Sequence, residues 1–145
     1  NLNKQITYNS KEHLMPSWSN DDKKITYIEI DKKNINFGNT ANIGVYNFLT
    51  EKTLIIDNNG LMDVYPVFLG NDQIIYESGD KNSFFGIFAF DLNSKINHKL
   101  VYDPLNSANG IPDVYKDFIL FERAYCYLSR GQNIFEVLFF HFQFF

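Results

Sequence analysis

The residues able to do chemistry in this chain are few and scattered. His13, His98 and His141 lie far apart, and none has a neighbouring Cys or His at the spacing a zinc site needs. Exposed or turn histidines are therefore expected. Residues 57–63, DNNGLMD, set oxygen-bearing side chains at alternate positions beside a glycine, the outline of a calcium loop. Leu61 breaks the alternation and no bidentate glutamate closes it, so a turn between repeats is the expected role. Cys126 is the single cysteine and has no internal disulfide partner; without an evident His and Asn beside it, a small packed residue is expected rather than a nucleophile.

Glu29, Glu77 and Glu122 fall near the ends of strands that look equivalent. They would either ring the mouth of a channel or stand as solvated strand ends, the plainer expectation. The chain has neither the G-x-S-x-G nucleophile elbow nor the G-x-x-x-x-G-K-[ST] phosphate loop. Ser17, Ser19 and the scattered aspartates form no recognisable triad. The expectation is thus no catalytic residue, no cofactor and no metal, with binding residues unassigned.

What would position any site is a sheet framework. Of the 145 residues 45% are apolar, enough for a packed core at the length of one domain, and the 17% aromatic share (15 Phe, 9 Tyr, 1 Trp) suits sheet faces. Net charge is −4 and no basic stripe occurs, which disfavours a nucleic-acid partner. No stretch reaches the roughly 20 apolar residues of a membrane helix. The opening NLNKQITYNS lacks an initiator Met and a signal-peptide core, as expected for a segment of something longer or a processed product.

The framework repeats. PSWSNDDKKITYIE (16–29) aligns with PVFLGNDQIIYES (66–78) and with PDVYKDFILFER (112–123), at spacings of 50 and 46 residues. Trp18, Phe68 and Val114 correspond, as do Ile25, Ile74 and Ile119, and then Tyr27, Tyr76 and Phe121. Downstream, Tyr46-Asn47-Phe48 matches Phe90-Asp91-Leu92, each before a polar turn. Strands are expected at 14–17, 24–30, 43–48 and 52–56; at 63–69, 73–77, 86–91 and 98–102; and at 110–114, 118–122 and 133–137. Residues 4–8, KQITY, could end a preceding unit, and 123–131, RAYCYLSRG, read as a loop. The runs 74–76, 84–90 and 118–121 are almost continuously apolar, which implies sheets buried on both faces. Asn20-Asp21-Asp22 and Gly70-Asn71-Asp72 supply turn residues, and Pro16, Pro66 and Pro112 sit at strand edges, where a missing N–H costs least.

On these residues the chain resembles the TolB-like β-propeller repeat, a WD-like blade of the form Pro-x-Trp-Ser-Pro-Asp-Gly-Lys-x-Ile-x-Phe. Pro16, Trp18, Ser19, Asp21, Lys23, Lys24, Ile25 and Tyr27 fit it; Asn20 and Asp22 depart from the usual Pro and Gly. The resemblance implies an all-β fold of tandem four-stranded antiparallel propeller blades, incomplete at about three blades, with repeats at about 10–56, 57–102 and 103–145 of a single domain. It implies that Trp18 packs between sheets and Asp21 caps a hairpin. It further implies a non-catalytic module that scaffolds protein–protein interaction in the periplasm or another extracytoplasmic space. The alternative is an access-restricting propeller of a prolyl-oligopeptidase-like serine peptidase with its catalytic domain outside this chain.

Three blades do not close a ring of the usual 4 to 8. The outer faces of the first and last sheets are therefore expected to lie open and to support self-association, as is the tail 138–145, LFFHFQFF, with five Phe in eight residues.

Overall fold

A computed structural model describes residues 3–31, 41–56, 62–79, 85–101, 107–116, 118–126 and 133–141. Among them are eleven β-strands and no helix. Sheet 1 holds β1 (Glu12–Trp18), β2 (Lys24–Ile30), β3 (Ala41–Asn47) and β4 (Lys52–Ile56); sheet 2 holds β5 (Met62–Leu69), β6 (Gln73–Gly79), β7 (Phe85–Asp91) and β8 (Asn97–Val101). Sheet 3 holds β9 (Ser107–Tyr115), β10 (Phe118–Cys126) and β11 (Asn133–His141). The first two are antiparallel meanders in chain order; the third runs β11-β10-β9.

The repeat is carved into the backbone. The leading strand of each sheet bulges at its proline: pairing skips between Leu14 and Ser17, between Val64 and Val67, and opposite Leu120 and Glu122. Met15, Tyr65 and Ile111, each just before that proline, take φ of 53°, 53° and 50°. A left-handed residue followed by one that cannot donate to the ladder forces an extra residue out and bends the strand. The outer hairpins recur as well. Asn47 Oδ1 accepts the N–H of Leu49 and Thr50, and Asp91 Oδ1 that of Asn93 and Ser94. These side chains stand in for backbone acceptors in the turn.

The sheets stack face to face. β5 lies against β1, β2 and β3, and β9 against β5, β6 and β7. Ile43, Val45 and Ile56 of sheet 1 meet Phe68, Ile74 and Tyr76 of sheet 2 in one core; Ile75, Ile87 and Ala89 of sheet 2 meet Ile119 and Phe121 of sheet 3 in the other. Ile74 and Ile75 point to opposite faces and both are fully buried, as the continuous apolar run requires. Each such isoleucine contributes about 1.5–3 kcal/mol of transfer free energy.

Several expectations change. Trp18 is 52% exposed rather than packed between sheets. Its register partner is Ile25, as that of Phe68 is Ile74, so the two aromatics are equivalent. Phe68 is covered by sheet 1, whereas Trp18 lies on the face of sheet 1 turned away from sheet 2 and stacks on Phe48 with ring centroids 5.2 Å apart. Residues 4–8 form no strand. Arg123 to Cys126 belong to β10, held on both sides by Ser107–Asn109 of β9 and residues 133–136 of β11; the rest of the expected loop lies outside the described residues. The tail through His141 is strand β11, and 142–145 lie outside the described residues.

Candidate functional site

Along β2 the side chains of Ile25, Tyr27 and Glu29 share the face turned away from sheet 2, with Tyr46 and Gly44 opposite on β3. Gly44 is needed there: a Cβ on it would lie 2.4 Å from the Tyr27 ring. The sequence reading expects this outer face to lie open; instead residues 3–11 run across it as an irregular strap. Tyr27 and Tyr46 are thereby reduced to 5% and 6% exposure.

Two carboxylates fasten the strap. Lys4 Nζ donates to Glu51 Oε1 at 2.6 Å, an exposed pair. Glu29, only 4% exposed, takes hydrogen bonds from Lys11 Nζ on one oxygen and from Asn9 Nδ2 on the other, with His13 Nε2 at 3.4 Å. Burial pushes the Glu29 carboxyl upward, but the bonds from Lys11, Asn9 and His13 outweigh it and hold the group below the ordinary carboxylate range. Between strap and sheet lies a cavity of about 530 Å³ lined by Tyr27, Tyr46, Thr53, Glu29 and residues 4–9. Burial raises the Tyr27 hydroxyl, against a hydrogen bond to Thr53.

A second opening, of about 400 Å³, lies at the seam of sheets 1 and 2 beside the outer turns. Lys24, Lys52 and Lys95 line it with Asp72, Asn47 and Asn93. Lys24 crosses the seam to bond Asp72 Oδ1 and the Asn71 carbonyl, each at 3.0 Å. The neighbouring hairpin is built around Ser19, whose hydroxyl donates to Asp21 and accepts the Lys24 N–H. Asp21 also accepts the Lys23 N–H, the capping role the resemblance implies.

The three glutamates do not form one ring. Tyr27 and Tyr76 are equivalent, so Glu29 corresponds to Ser78, and the residue corresponding to Glu77 is Ile28. A one-residue offset reverses the face of a strand. Glu29 points to the strap, whereas Glu77 points to sheet 3, where its Oε2 accepts the Ile111 N–H at 2.8 Å. Gly110 gives it room, since a Cβ there would lie 2.5 Å from that oxygen. Burial raises the Glu77 carboxyl; the Ile111 bond opposes this and the Glu122 charge adds to it. Glu122 itself is exposed.

The remaining candidates stand apart. His13 joins the Glu29 cluster, His98 is exposed on β8, and His141 ends β11. Residues 57–61 of the calcium-like stretch lie outside the described residues, and Asp63 is buried on β5. Among the described residues no three His, Cys, Asp or Glu side chains gather as a metal site. The strap was not foreseeable, because residues 3–11 carry no periodicity and the carboxylates that hold Lys11 and Lys4 stand 18 and 47 residues further along the chain.

No protein-family model matches the chain, and no curated protein matches it in sequence. Solved structures do. A candidate conserved lipoprotein of Clostridium novyi NT superposes with a TM-score of 0.76 at 10% identity, over 97% of this chain and 93% of that one. A candidate TolB of Agrobacterium tumefaciens gives 0.66 at 13% identity, over 92% of this chain and 52% of that one. TolB of Acinetobacter baumannii gives 0.58 at 17% identity, over 91% of this chain and 31% of that one. At these identities the likeness establishes the fold, a partial array of propeller blades, and the chain spans about half and a third of the two TolB chains.

Proposed function

We propose that this chain is a non-catalytic, TolB-like propeller module that scaffolds protein–protein contacts in an extracytoplasmic space, built on three repeats at about 10–56, 57–102 and 103–145. The lipoprotein and TolB likenesses support the location. The observation that carries the function is how the side chains are used. Both faces of sheet 2 are consumed by stacking, so recognition falls to turns and seams. The lysine-lined seam between sheets 1 and 2 is such a surface, with Lys52 and Lys95 presented from equivalent turns beside it. It would suit a partner that offers carboxylates or backbone carbonyls.

A photoreactive side chain placed at Lys52 or Lys95, in the chain as it is produced in its own cells, tests this. A discrete protein adduct is expected from both positions and not from Tyr115 on β9. Absence of any adduct above the Tyr115 control counts against the scaffold. So does turnover of peptide or ester substrates that survives purification and is lost on mutation.

A further inference from the structure

The seam between sheets 1 and 2 carries an arrangement that the repeat does not require. Lys24, Asn47 and Lys52 are register partners across β2, β3 and β4 and share the face turned to sheet 2. At a strand spacing of about 4.8 Å the two lysines stand about 10 Å apart on the sheet, with Asn47 between them. Lys95 lines the same opening from the outer turn of sheet 2. At the corresponding places in sheet 2 stand Gln73 and Asp91, so the cationic row belongs to this seam and not to the blade pattern.

The charges there do not cancel. Lys24 is matched by Asp72, which it meets at 3.0 Å. Lys52 and Lys95 have no ion pair among the described residues. Glu51, next to Lys52 in the chain, lines the strap cavity instead and is held there by Lys4. Two positive charges are thus uncommitted in one opening of a chain whose net charge is −4. The neutral group between them is also a donor. Asn47 Oδ1 accepts the N–H groups of Leu49 and Thr50, which leaves the Nδ2 end of the amide for a ligand. Asp91 makes the same turn with a carboxylate, so an aspartate at 47 would serve the fold but offset one lysine. Val45, Leu54 and Leu92 add an apolar wall to the opening of about 400 Å³.

We propose that this pocket binds a phosphate monoester of a small molecule, with the phosphate held by Lys52, Lys95 and Asn47 Nδ2 and the organic part against Leu54 and Leu92. Two uncommitted ammonium groups match the charge of about −1.5 to −2 that a phosphate monoester carries at neutral pH. Ammonium groups from separate elements act as point charges on a tetrahedral anion, whereas a planar carboxylate is held best by an arginine fork, and no arginine lines the pocket. The volume is in the range of small-ligand sites. This goes beyond the scaffold reading, since the site needs no protein partner. Binding to the purified chain and photo-adducts in cells are separate measurements, so either reading can fail alone.

Calorimetric titration of the purified chain with phenyl phosphate at low ionic strength, up to about 5 mM so that millimolar affinities register, provides the test. Saturable binding is expected, at least about threefold tighter than that of inorganic phosphate, which lacks the apolar part, and of benzoate, which lacks the second charge. Lys52→Gln and Lys95→Gln should each weaken it by at least about threefold, and Lys99→Gln on β8 should not. Asn47→Asp keeps the turn and should weaken it by at least about tenfold with Tm unchanged. The comparison of the three ligands on the unaltered chain decides the matter even if a variant fails to fold. No saturable binding, benzoate or inorganic phosphate bound as tightly as phenyl phosphate, or undiminished binding in a folded Asn47→Asp would overturn the proposal.

Discussion

Glu77 Oε2 accepts the backbone N–H of Ile111 at 2.8 Å, across the seam between sheets 2 and 3 and at the bulge of β9. A buried carboxylate thus satisfies a backbone donor that the bulge has taken out of the ladder. Glu77→Ala should cost about 1–3 kcal/mol in urea unfolding, since it strands that donor. Glu77→Gln keeps an acceptor, removes a buried charge and the repulsion from Glu122, and should be neutral or stabilising at pH 7.

The two buried glutamates should pull the acid dependence of stability in opposite directions. The folded-state value of Glu77 is raised, so its contribution is fully present below the ordinary 4.5 and lost as pH rises through the raised value. That of Glu29 is lowered, so its contribution is present above 4.5 and lost as pH falls through the lowered value. Unfolding free energy measured against pH should therefore gain relative to wild type on the neutral side in Glu77→Gln. In Glu29→Gln it should lose there and become less sensitive below pH 4.5.

Glu29→Ala should free the strap. Lys11 and Asn9 lose their shared acceptor, at a cost of about 1–3 kcal/mol, the buried-pair penalty being tempered by the part-exposed Lys11. Proteolysis within residues 3–11 should accelerate while the sheets stay folded by circular dichroism.

Trp18 and Phe68 are the same position in successive sheets and should behave differently. Phe68→Ala opens the core between sheets 1 and 2 and should cost about 3–5 kcal/mol. Trp18→Ala removes a half-exposed ring and one stack on Phe48, and should cost about 1 kcal/mol.

Gly44→Ala should destabilise by about 1–3 kcal/mol, because the new Cβ would enter the Tyr27 ring and force it outward against the strap. Thermal unfolding with tyrosine fluorescence reads both effects.

The strand order and turn chemistry were legible in the sequence, since Tyr27, Tyr76 and Phe121 recur at matching positions and Asn47 and Asp91 make the same turn. The site was not. Glu29 and Glu77 look alike at strand ends, yet a single residue of offset sends them to opposite faces. Trp18 carries the blade motif but lies on the face of sheet 1 turned away from sheet 2, where it stays half-exposed. The strap depends on pairs distant in sequence, Lys4 with Glu51 and Lys11 with Glu29, which no local pattern announces.

The stacking of sheet 2 between sheets 1 and 3 is the centre of the architecture, and amide hydrogen exchange measures it directly. The slowest exchange should fall in β6 and β7, which are buried on both faces; β4 and β8 should exchange much faster. Exchange in β6 as rapid as in β4 would contradict the stacked-blade architecture.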